Sequence, residues 1–180
     1  MSHTLLLTGR PGVGKTAVVK KIVAELGDRA GGFYTEEIVG PGGRKGFRVM
    51  ALDGREATLA HIDIRSRSQV GRYGVDVDAF ERVGVAVLRA AIERAEIVVF
   101  DEIGKMELFS SQFKSAVIKA IDSGKPVIAT AMLDAHPWVD ALKAMPGVHM
   151  LEVTRQNREA IAARVLRWLE VGDWKLEVGS

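Results

Sequence analysis

A glycine-rich segment near the start of the chain limits its possible folds more than any other feature. Residues 9–16 have the sequence Gly-Arg-Pro-Gly-Val-Gly-Lys-Thr, which fits the pattern G-x-x-x-x-G-K-T. The apolar run at residues 5–7 before it is typical of a buried strand, and residues 17–26 after it have helical spacing. A strand, a glycine-rich loop and a helix in this order are the context of a phosphate-binding loop. The sequence therefore predicts a triphosphate site where the first strand ends.

The residue types in this loop suit the chemistry of a bound triphosphate. Glycines let backbone N–H groups turn inward around the phosphates, and the following helix directs its positive dipole end at them. Lys15 can reach the β- and γ-phosphates, and the Thr16 hydroxyl can coordinate Mg²⁺. We expect this loop to contact the nucleotide through Gly9, Arg10, Pro11, Gly12, Val13, Gly14, Lys15 and Thr16.

A second candidate element is the apolar run at residues 97–100, which ends in two acids. Such a run is typical of a strand buried on both faces, and an acid at its end can hold Mg²⁺ through a water opposite Thr16. Asp101 would hold the metal, and Glu102 would orient the attacking water as a catalytic residue. The alternative is that Asp101 caps the loop and Glu102 is solvated. The predicted contacts here are Val98, Val99, Phe100, Asp101, Glu102, Ile103, Gly104 and Lys105.

The order of the predicted elements indicates the fold class. Strands and helices alternate along most of the chain, which predicts an α/β P-loop fold with a mostly parallel, doubly wound sheet and helices on both faces. We predict a single domain over residues 1–180, with an antiparallel β-hairpin insertion at about 32–62. Polar residues at about 63–78 predict an irregular loop that could act as a lid. The predicted helices span about 15–26, 79–95, 111–124, 137–144 and 156–170, and we expect Trp174 and Leu176 to pack the tail back.

The composition excludes several classes of protein. The chain of 180 residues is 47% hydrophobic, lacks cysteine and has a net charge of only +2, which gives no support for disulfides, cysteine zinc sites or nucleic-acid binding. No apolar run is long enough to cross a bilayer. The first predicted strand begins almost at the N-terminus, so we expect no signal peptide and a cytoplasmic location.

Several strings along the chain together resemble a known family. The most specific is Asp101-Glu102-Ile103-Gly104-Lys105-Met106-Glu107, and the others include Gly32-Phe33-Tyr34-Thr35-Glu36-Glu37 and Val153-Thr154-Arg155-Gln156-Asn157-Arg158. In this respect the chain resembles the nucleoside-triphosphatase family first described in thermophiles, whose vertebrate members are called cancer-related nucleoside-triphosphatase. The resemblance covers nearly the whole chain. It implies a monomeric or weakly associating Mg²⁺-dependent enzyme that slowly hydrolyses ATP, GTP, CTP and UTP or TTP with little base selectivity.

Other side chains are weaker candidates. Arg10 and Arg72 lead a set of loop arginines, with Arg65 and Arg67, that could stabilise charge in the transition state as catalytic residues. Lys105 could approach the phosphates, with Glu107 either orienting it or facing solvent. We expect the Thr130 hydroxyl to be satisfied by backbone rather than to sense the γ-phosphate.

Two other functions fit the same sequence. The first is a nucleotide or small-molecule kinase, for which we find no clear acceptor site; Glu102 beside Asp101 favours hydrolysis. The second is a nucleotide-switched module that binds RNA or protein and hydrolyses only incidentally. The chain has no aromatic-rich basic face, which argues against the second alternative.

Overall fold

A computed structural model describes residues 3–172 of the chain; the prediction for Trp174 and Leu176 falls outside this part. Nine strands in the described residues form one mixed sheet in the order β5-β6-β4-β3-β2-β7-β8-β1-β9. The strands are β1 (His3–Thr8), β2 (Ala30–Gly40), β3 (Gly43–Ala51), β4 (Glu56–His61), β5 (Gln69–Val70), β6 (Tyr73–Val75), β7 (Ile97–Ile103), β8 (Pro126–Ala131) and β9 (Val148–Glu152).

The helices connect the parallel strands. They are α1 (Lys15–Leu26), α2 (Val77–Phe80), α3 (Ala86–Arg94), α4 (Ser111–Asp122), α5 (Pro137–Lys143) and α6 (Arg158–Val171). A π-helical segment at Glu81–Val85 joins α2 to α3, and short 3₁₀ turns occupy Gly27–Arg29 and Glu107–Phe109. Between residues 3 and 172, none of the helices combines the length and the apolar character needed to cross a membrane.

The parallel half of the sheet confirms the predicted P-loop fold class. Strands β2, β7, β8, β1 and β9 pair in parallel, so their carboxyl ends meet at one edge. Strand β8 lies between β1 and β7, so one strand separates β7, which carries Asp101, from β1, which leads into the phosphate-binding loop. Ligands of such sheets bind at this edge, and the candidate residues lie there.

Two buried clusters confirm that helices cover both faces of the sheet. On one face, α3 and α4 pack on the sheet through residues such as Leu88 and Phe113. On the other face, α1 and α6 pack together through residues such as Ile22 and Val165. The helical spacing of the apolar residues therefore predicted the buried face of these helices.

The antiparallel part is larger than the predicted hairpin. Strands β2 and β3 form the hairpin, but β4, β6 and β5 continue it as an antiparallel extension of the sheet. The irregular loop predicted for residues 63–78 is therefore wrong in part, because β5 and β6 form a tight hairpin within it. These strands have two and three residues, which is too short for an alternating pattern to be recognised. Gly71 supplies the positive φ of +57° that the turn requires.

Two other boundaries differ from the sequence-based prediction. The helix predicted from residue 79 begins at Val77, where the Asp76 carboxylate accepts the Ala79 N–H, and is interrupted by the π-helical segment. In that segment a Cβ on Gly84 would lie 2.6 Å from the Phe80 ring, so glycine allows the ring to pack. Strand β7 continues through both acids to Ile103, so Asp101 and Glu102 belong to the strand itself.

Candidate active site

The glycine-rich loop is held in a conformation that only glycine adopts easily. Gly9, Gly12 and Gly14 have φ angles of 153°, 77° and 113°. A Cβ on Gly9 would lie 2.7 Å from the Val153 carbonyl oxygen, so the loop also needs glycine for its close approach to the end of β9. Helix α1 begins at the end of the loop, and the positive end of its dipole faces the cleft above the loop.

Lys15 is buried under the loop and is positioned by two oxygen atoms. Its Nζ donates to the Gly9 carbonyl oxygen at 2.7 Å and lies 3.5 Å from Glu102 Oε2. Burial raises the pKa of the Glu102 carboxyl above its usual range, the Lys15 ammonium opposes this rise, and the Asp101 carboxylate adds to it. The loop lysine and the candidate general base are thus in direct electrostatic contact.

The Asp101 carboxylate is buried and receives hydrogen bonds on both oxygens. Its Oδ2 accepts from Thr16 Oγ1 at 2.9 Å and from the N–H and hydroxyl of Thr35 at 3.2 and 3.3 Å. Its Oδ1 accepts from Thr130 Oγ1 at 2.5 Å. The prediction that backbone satisfies Thr130 is therefore wrong, because β8 lies beside β7 and brings the hydroxyl to the carboxylate. Three threonines from three elements fix the orientation of this acid.

The Thr16 hydroxyl and the Asp101 carboxylate are suitable ligands for a magnesium ion. A hydroxyl and a carboxylate lie side by side at the end of the loop, and Mg²⁺ in such sites takes one or two protein oxygens plus phosphates and waters. Within residues 3–172 there is no group of three or more histidine or acidic side chains that could hold a metal without a substrate. The Thr16 and Asp101 oxygens therefore fit a metal that is completed by the nucleotide.

Glu107 occupies a position that the sequence did not predict. The two predicted alternatives were a partner for Lys105 and a solvated acid, but the side chain is only 5% exposed. A Cβ on Gly104 would lie 2.9 Å from Glu102 Oε1 and 3.0 Å from Glu107 Oε2, so glycine makes room for two neighbouring carboxyl groups. Burial raises the pKa of Glu107 well above its usual range, and the charge of Glu102 raises it further. Lys105 instead forms an exposed ion pair with Asp134 at 2.8 Å.

A large cleft opens above these residues. Its volume is about 780 Å³, and it extends from the phosphate-binding loop past Asp101 and Glu102 to the antiparallel strands. One wall includes apolar side chains of the loops that follow β7 and β8, including Met106 and Met132. The cleft is therefore wide enough for more than a triphosphate chain.

Eight of the predicted nucleotide contacts do not line the main cleft: Arg10, Val13, Val98, Val99, Phe100, Ile103, Gly104 and Lys105. Val98, Val99, Phe100 and Ile103 are fully buried in the two cores, so they support the site from below. Arg10 lines a second cleft of about 560 Å³, on the other side of the loop, together with residues 152–156.

The two predicted catalytic arginines do not line the main cleft. The Arg72 side chain donates through Nη2 to the Arg44 carbonyl oxygen at 2.8 Å and to the Tyr73 hydroxyl at 3.2 Å. Arg10 is directed to the second cleft. In this conformation neither guanidinium is placed over the residues that surround Glu102.

Residues of the cleft to which the sequence-based prediction gave no role include Thr35, Arg44 and Tyr73. All three lie inside strings that carried the resemblance, residues 32–37, 43–47 and 70–76, which was the available signal. Arg158 Nη1 reaches the Val13 carbonyl oxygen at 3.4 Å, which connects the start of α6 to the phosphate-binding loop. Arg44 and Tyr73 come together only through the pairing of strands, which no local pattern predicts.

Comparisons with known proteins agree with this geometry. The model of a family described as NTPase matches residues 4–166. The chain is 44% identical to the nucleoside-triphosphatase THEP1 of Thermotoga petrophila, covering 90% of each protein. The crystal structure of THEP1 from Aquifex aeolicus superposes with a TM-score of 0.87 at 39% identity, covering 93% of this chain and 99% of that one. The solution structure of a human cancer-related nucleoside triphosphatase superposes with a TM-score of 0.81 at 32% identity, covering 96% of this chain and all of that one. The resemblance inferred from the sequence is therefore confirmed, and the chain belongs to the nucleoside-triphosphatase family of P-loop proteins that includes the THEP1 enzymes.

Proposed function

We propose that this protein is a Mg²⁺-dependent nucleoside-triphosphate phosphohydrolase that converts an NTP and water to the NDP and phosphate. The observation that carries the proposal is the contact between Lys15 and Glu102 at 3.5 Å, directly beside the Thr16–Asp101 pair. This contact supports a site in which a phosphate-binding cation, a pair of metal ligands and a carboxylate base share one edge of the sheet. We further propose slow turnover and broad base specificity, which the family resemblance implies and the names of the relatives leave open.

The loop residues would bind the triphosphate. Backbone N–H groups at Gly12 and Gly14 and the start of α1 offer donors to phosphate oxygens. Lys15 Nζ, which donates to the Gly9 carbonyl oxygen, would exchange that acceptor for β- and γ-phosphate oxygens. Thr16 and Asp101 would hold Mg²⁺, which supplies charge neutralisation across the β- and γ-phosphates when bound.

Glu102 would act on the attacking water. A carboxylate at the floor of the cleft, one-third exposed, can accept a hydrogen bond from a water in line with the bond that breaks. The water oxygen forms the new bond to the γ-phosphorus, the bond between that phosphorus and the bridging oxygen breaks, and Glu102 takes the proton. Because burial raises the pKa of Glu102, its carboxylate is a better proton acceptor than a solvated one.

The remaining assignments stay predictions. Stabilisation of the transition state would require Arg72 to leave its hydrogen bonds or Arg10 to leave the second cleft. The lid function of residues 63–78, the monomeric state and the cytoplasmic location are likewise predictions from the sequence.

The test is phosphate release from ATP, GTP, CTP and UTP with Mg²⁺ and no added acceptor. Wild-type protein should hydrolyse all four, and Lys15→Ala should lose nucleotide affinity and turnover together, because it removes the cation of the phosphate site. Lys21→Ala is the matched control, since Lys21 lies on the same helix and makes only an exposed ion pair with Glu159. Unchanged nucleotide affinity in Lys15→Ala would refute the phosphate-site assignment. Turnover that appeared only with an added hydroxyl acceptor would refute hydrolysis in favour of a kinase.

A further inference from the structure

The outer end of the main cleft contains a cluster that hydrolysis does not require. Arg44 and Phe47 of β3 and Tyr73 of β6 line this end. The Phe47 and Tyr73 rings pack edge to face with centroids 5.5 Å apart, and the Arg44 guanidinium lies 5.0 Å from the Phe47 centroid and 5.7 Å from the Tyr73 centroid. Packing on two rings fixes the cation in place, so the cluster is an ordered part of the cleft wall.

The hydrogen bonds of this cluster leave donors directed outward. The Tyr73 hydroxyl accepts from Arg44 Nε at 3.0 Å and from Arg72 Nη2 at 3.2 Å. A phenolic oxygen that accepts two N–H groups keeps its own proton to donate. Arg44 also keeps N–H donors, because only Nε and Nη1 have partners among the described residues. The Arg44 guanidinium and the Tyr73 hydroxyl donor, which both line the cleft, together favour an anion.

The acidic side chains nearby do not cancel this preference. Glu37 pairs with Arg44 Nη1 at 3.1 Å, but both side chains are about half exposed, so an incoming anion can replace this contact at little cost. Glu36 is already paired with Lys20 at 3.0 Å. The lining also includes apolar or backbone groups such as Val70, Gly71 and Met106. A third nearby acid of this lining, Asp134, is paired with Lys105 at 2.8 Å.

The order of strands fixes the distance of this cluster from the phosphates. Passing across the sheet, the phosphate-binding loop follows β1, Glu102 lies on β7, and Arg44 and Tyr73 lie beyond it on β3 and β6. Each strand adds about 4.8 Å, so β3 lies roughly 10 Å and β6 roughly 19 Å from β7 across the sheet, on the side away from the loop. A molecule that reaches from the cluster to the γ-phosphate must therefore be longer than about 10 Å.

We propose that the outer end of the cleft is a second-ligand site that binds the phosphate or carboxylate group of a small organic anion, through Arg44 and Tyr73, in the same cleft as the γ-phosphate of bound NTP. The apolar wall and the half-buried Phe47 ring suit a ligand with an aromatic or apolar body. The inference rests on the proposed function, because that function defines where the γ-phosphate lies. A ligand held there lies beyond Glu102, on the side away from the phosphate-binding loop, so it should bind without competing with the nucleotide for that loop.

The test uses phenyl phosphate and benzoate as probes for the two kinds of anion. The protein is first saturated with Mg²⁺ and the non-hydrolysable ATP analogue adenylyl imidodiphosphate, and the probe is then titrated by calorimetry. We expect one probe molecule per chain, with phenyl phosphate tighter if the site prefers a dianion and benzoate tighter if it prefers a carboxylate. In turnover assays, the tighter probe should leave KM for ATP unchanged, because it does not occupy the phosphate-binding loop.

Three variants connect this binding to the cluster. Arg44→Gln should weaken probe binding about tenfold or more, because it removes charge-assisted hydrogen bonds. Tyr73→Phe keeps the ring and should weaken binding about threefold or more through the lost hydroxyl donor. Arg89→Gln is the matched control, since Arg89 is an exposed arginine on α3 that contacts Gln112, and it should leave probe binding unchanged.

Two results would overturn the proposal. One is the absence of probe binding to the protein saturated with the analogue. The other is binding that both cluster variants leave unchanged, or inhibition that only raises KM, because the probe would then occupy the phosphate-binding loop. Failure of the proposed function is distinguishable, since it would appear before any probe is added, as failure of the analogue to bind or as no phosphate release from ATP and water alone.

Discussion

Replacing Glu107 with glutamine should change how the stability of this protein depends on pH. The Glu107 side chain is buried beside Gly104, close to the Glu102 carboxyl, and its pKa is raised well above the usual range by burial and then by the Glu102 charge. Glutamine has nearly the same shape and stays neutral at every pH. The backbone N–H groups of Gly104 and Glu107, which face the carboxyl, can donate to the amide oxygen instead.

The sign of the effect follows from proton binding. Between the unfolded pKa of glutamic acid and the raised folded pKa, the folded state binds more protons than the unfolded state. The wild-type free energy of unfolding therefore falls as pH rises through this interval, by up to about 1.4 kcal/mol per pH unit. Below the unfolded pKa, Glu107 is protonated in both states, so its titration does not change the free energy of unfolding. Glutamine does not titrate, so the Glu107→Gln variant should match wild type near pH 4 and be more stable than wild type by up to about 2 kcal/mol near pH 6.

The measurement is urea unfolding at several pH values from 4 to 8. Glu102 titrates in both proteins, and its contribution is the same in both as long as Glu107 is neutral. Glu25→Gln is the control, because Glu25 is an exposed glutamate on α1 and glutamine has a similar helix propensity. If the free energies of unfolding of wild type and Glu107→Gln changed in parallel over the whole pH range, Glu107 would not have a raised pKa. The conclusion that Glu107 is buried in its neutral form would then be wrong.

Three other changes test the packing and the metal-ligand acid. Phe113→Ala should lower the free energy of unfolding by about 3 to 5 kcal/mol, because Phe113 is fully buried and contacts three other aromatic rings; a loss below 1 kcal/mol in urea unfolding would contradict this packing. Thr130→Val removes the hydroxyl that orients Asp101, so the Mg²⁺ concentration for half-maximal turnover should rise several-fold, whereas Thr130→Ser should restore the wild-type value. An unchanged Mg²⁺ dependence would mean that this hydrogen bond does not position the acid. Gly32→Ala should fail to fold or lose more than about 3 kcal/mol of stability, because its Cβ would lie 1.8 Å from the Val99 carbonyl oxygen at a φ of +126°; a thermal midpoint equal to wild type would refute that constraint.

The parts of the fold that could be predicted are those set by local patterns. The phosphate-binding loop has a fixed spacing of glycines and lysine, and the structure folds it between β1 and α1 as expected. Helices α1, α4 and α6 carry apolar residues at helical spacing and bury those faces. The long central strand β7 was recognisable from its four consecutive apolar residues.

The parts that could not be predicted depend on contacts between distant segments. Glu107 follows a turn that buries its side chain close to the Glu102 carboxyl. Nothing in the local sequence distinguishes it from a solvated glutamate. The cluster of Arg44 and Tyr73 requires β3, β4 and β6 to pair, and β6 is only three residues long. The Thr130 hydroxyl reaches Asp101 because β8 lies beside β7, which is a property of strand order.

The central claim is that Glu102 orients the water that attacks the γ-phosphate. The most direct test is Glu102→Gln, assayed for Mg²⁺–ATP affinity and for single-turnover phosphate release. Glutamine keeps the size of the side chain but cannot take a proton, so we predict near-normal affinity with a loss of about 100-fold or more in the chemical step. A variant that releases phosphate within a few-fold of the wild-type rate would contradict the account, because another residue would then have to position the water.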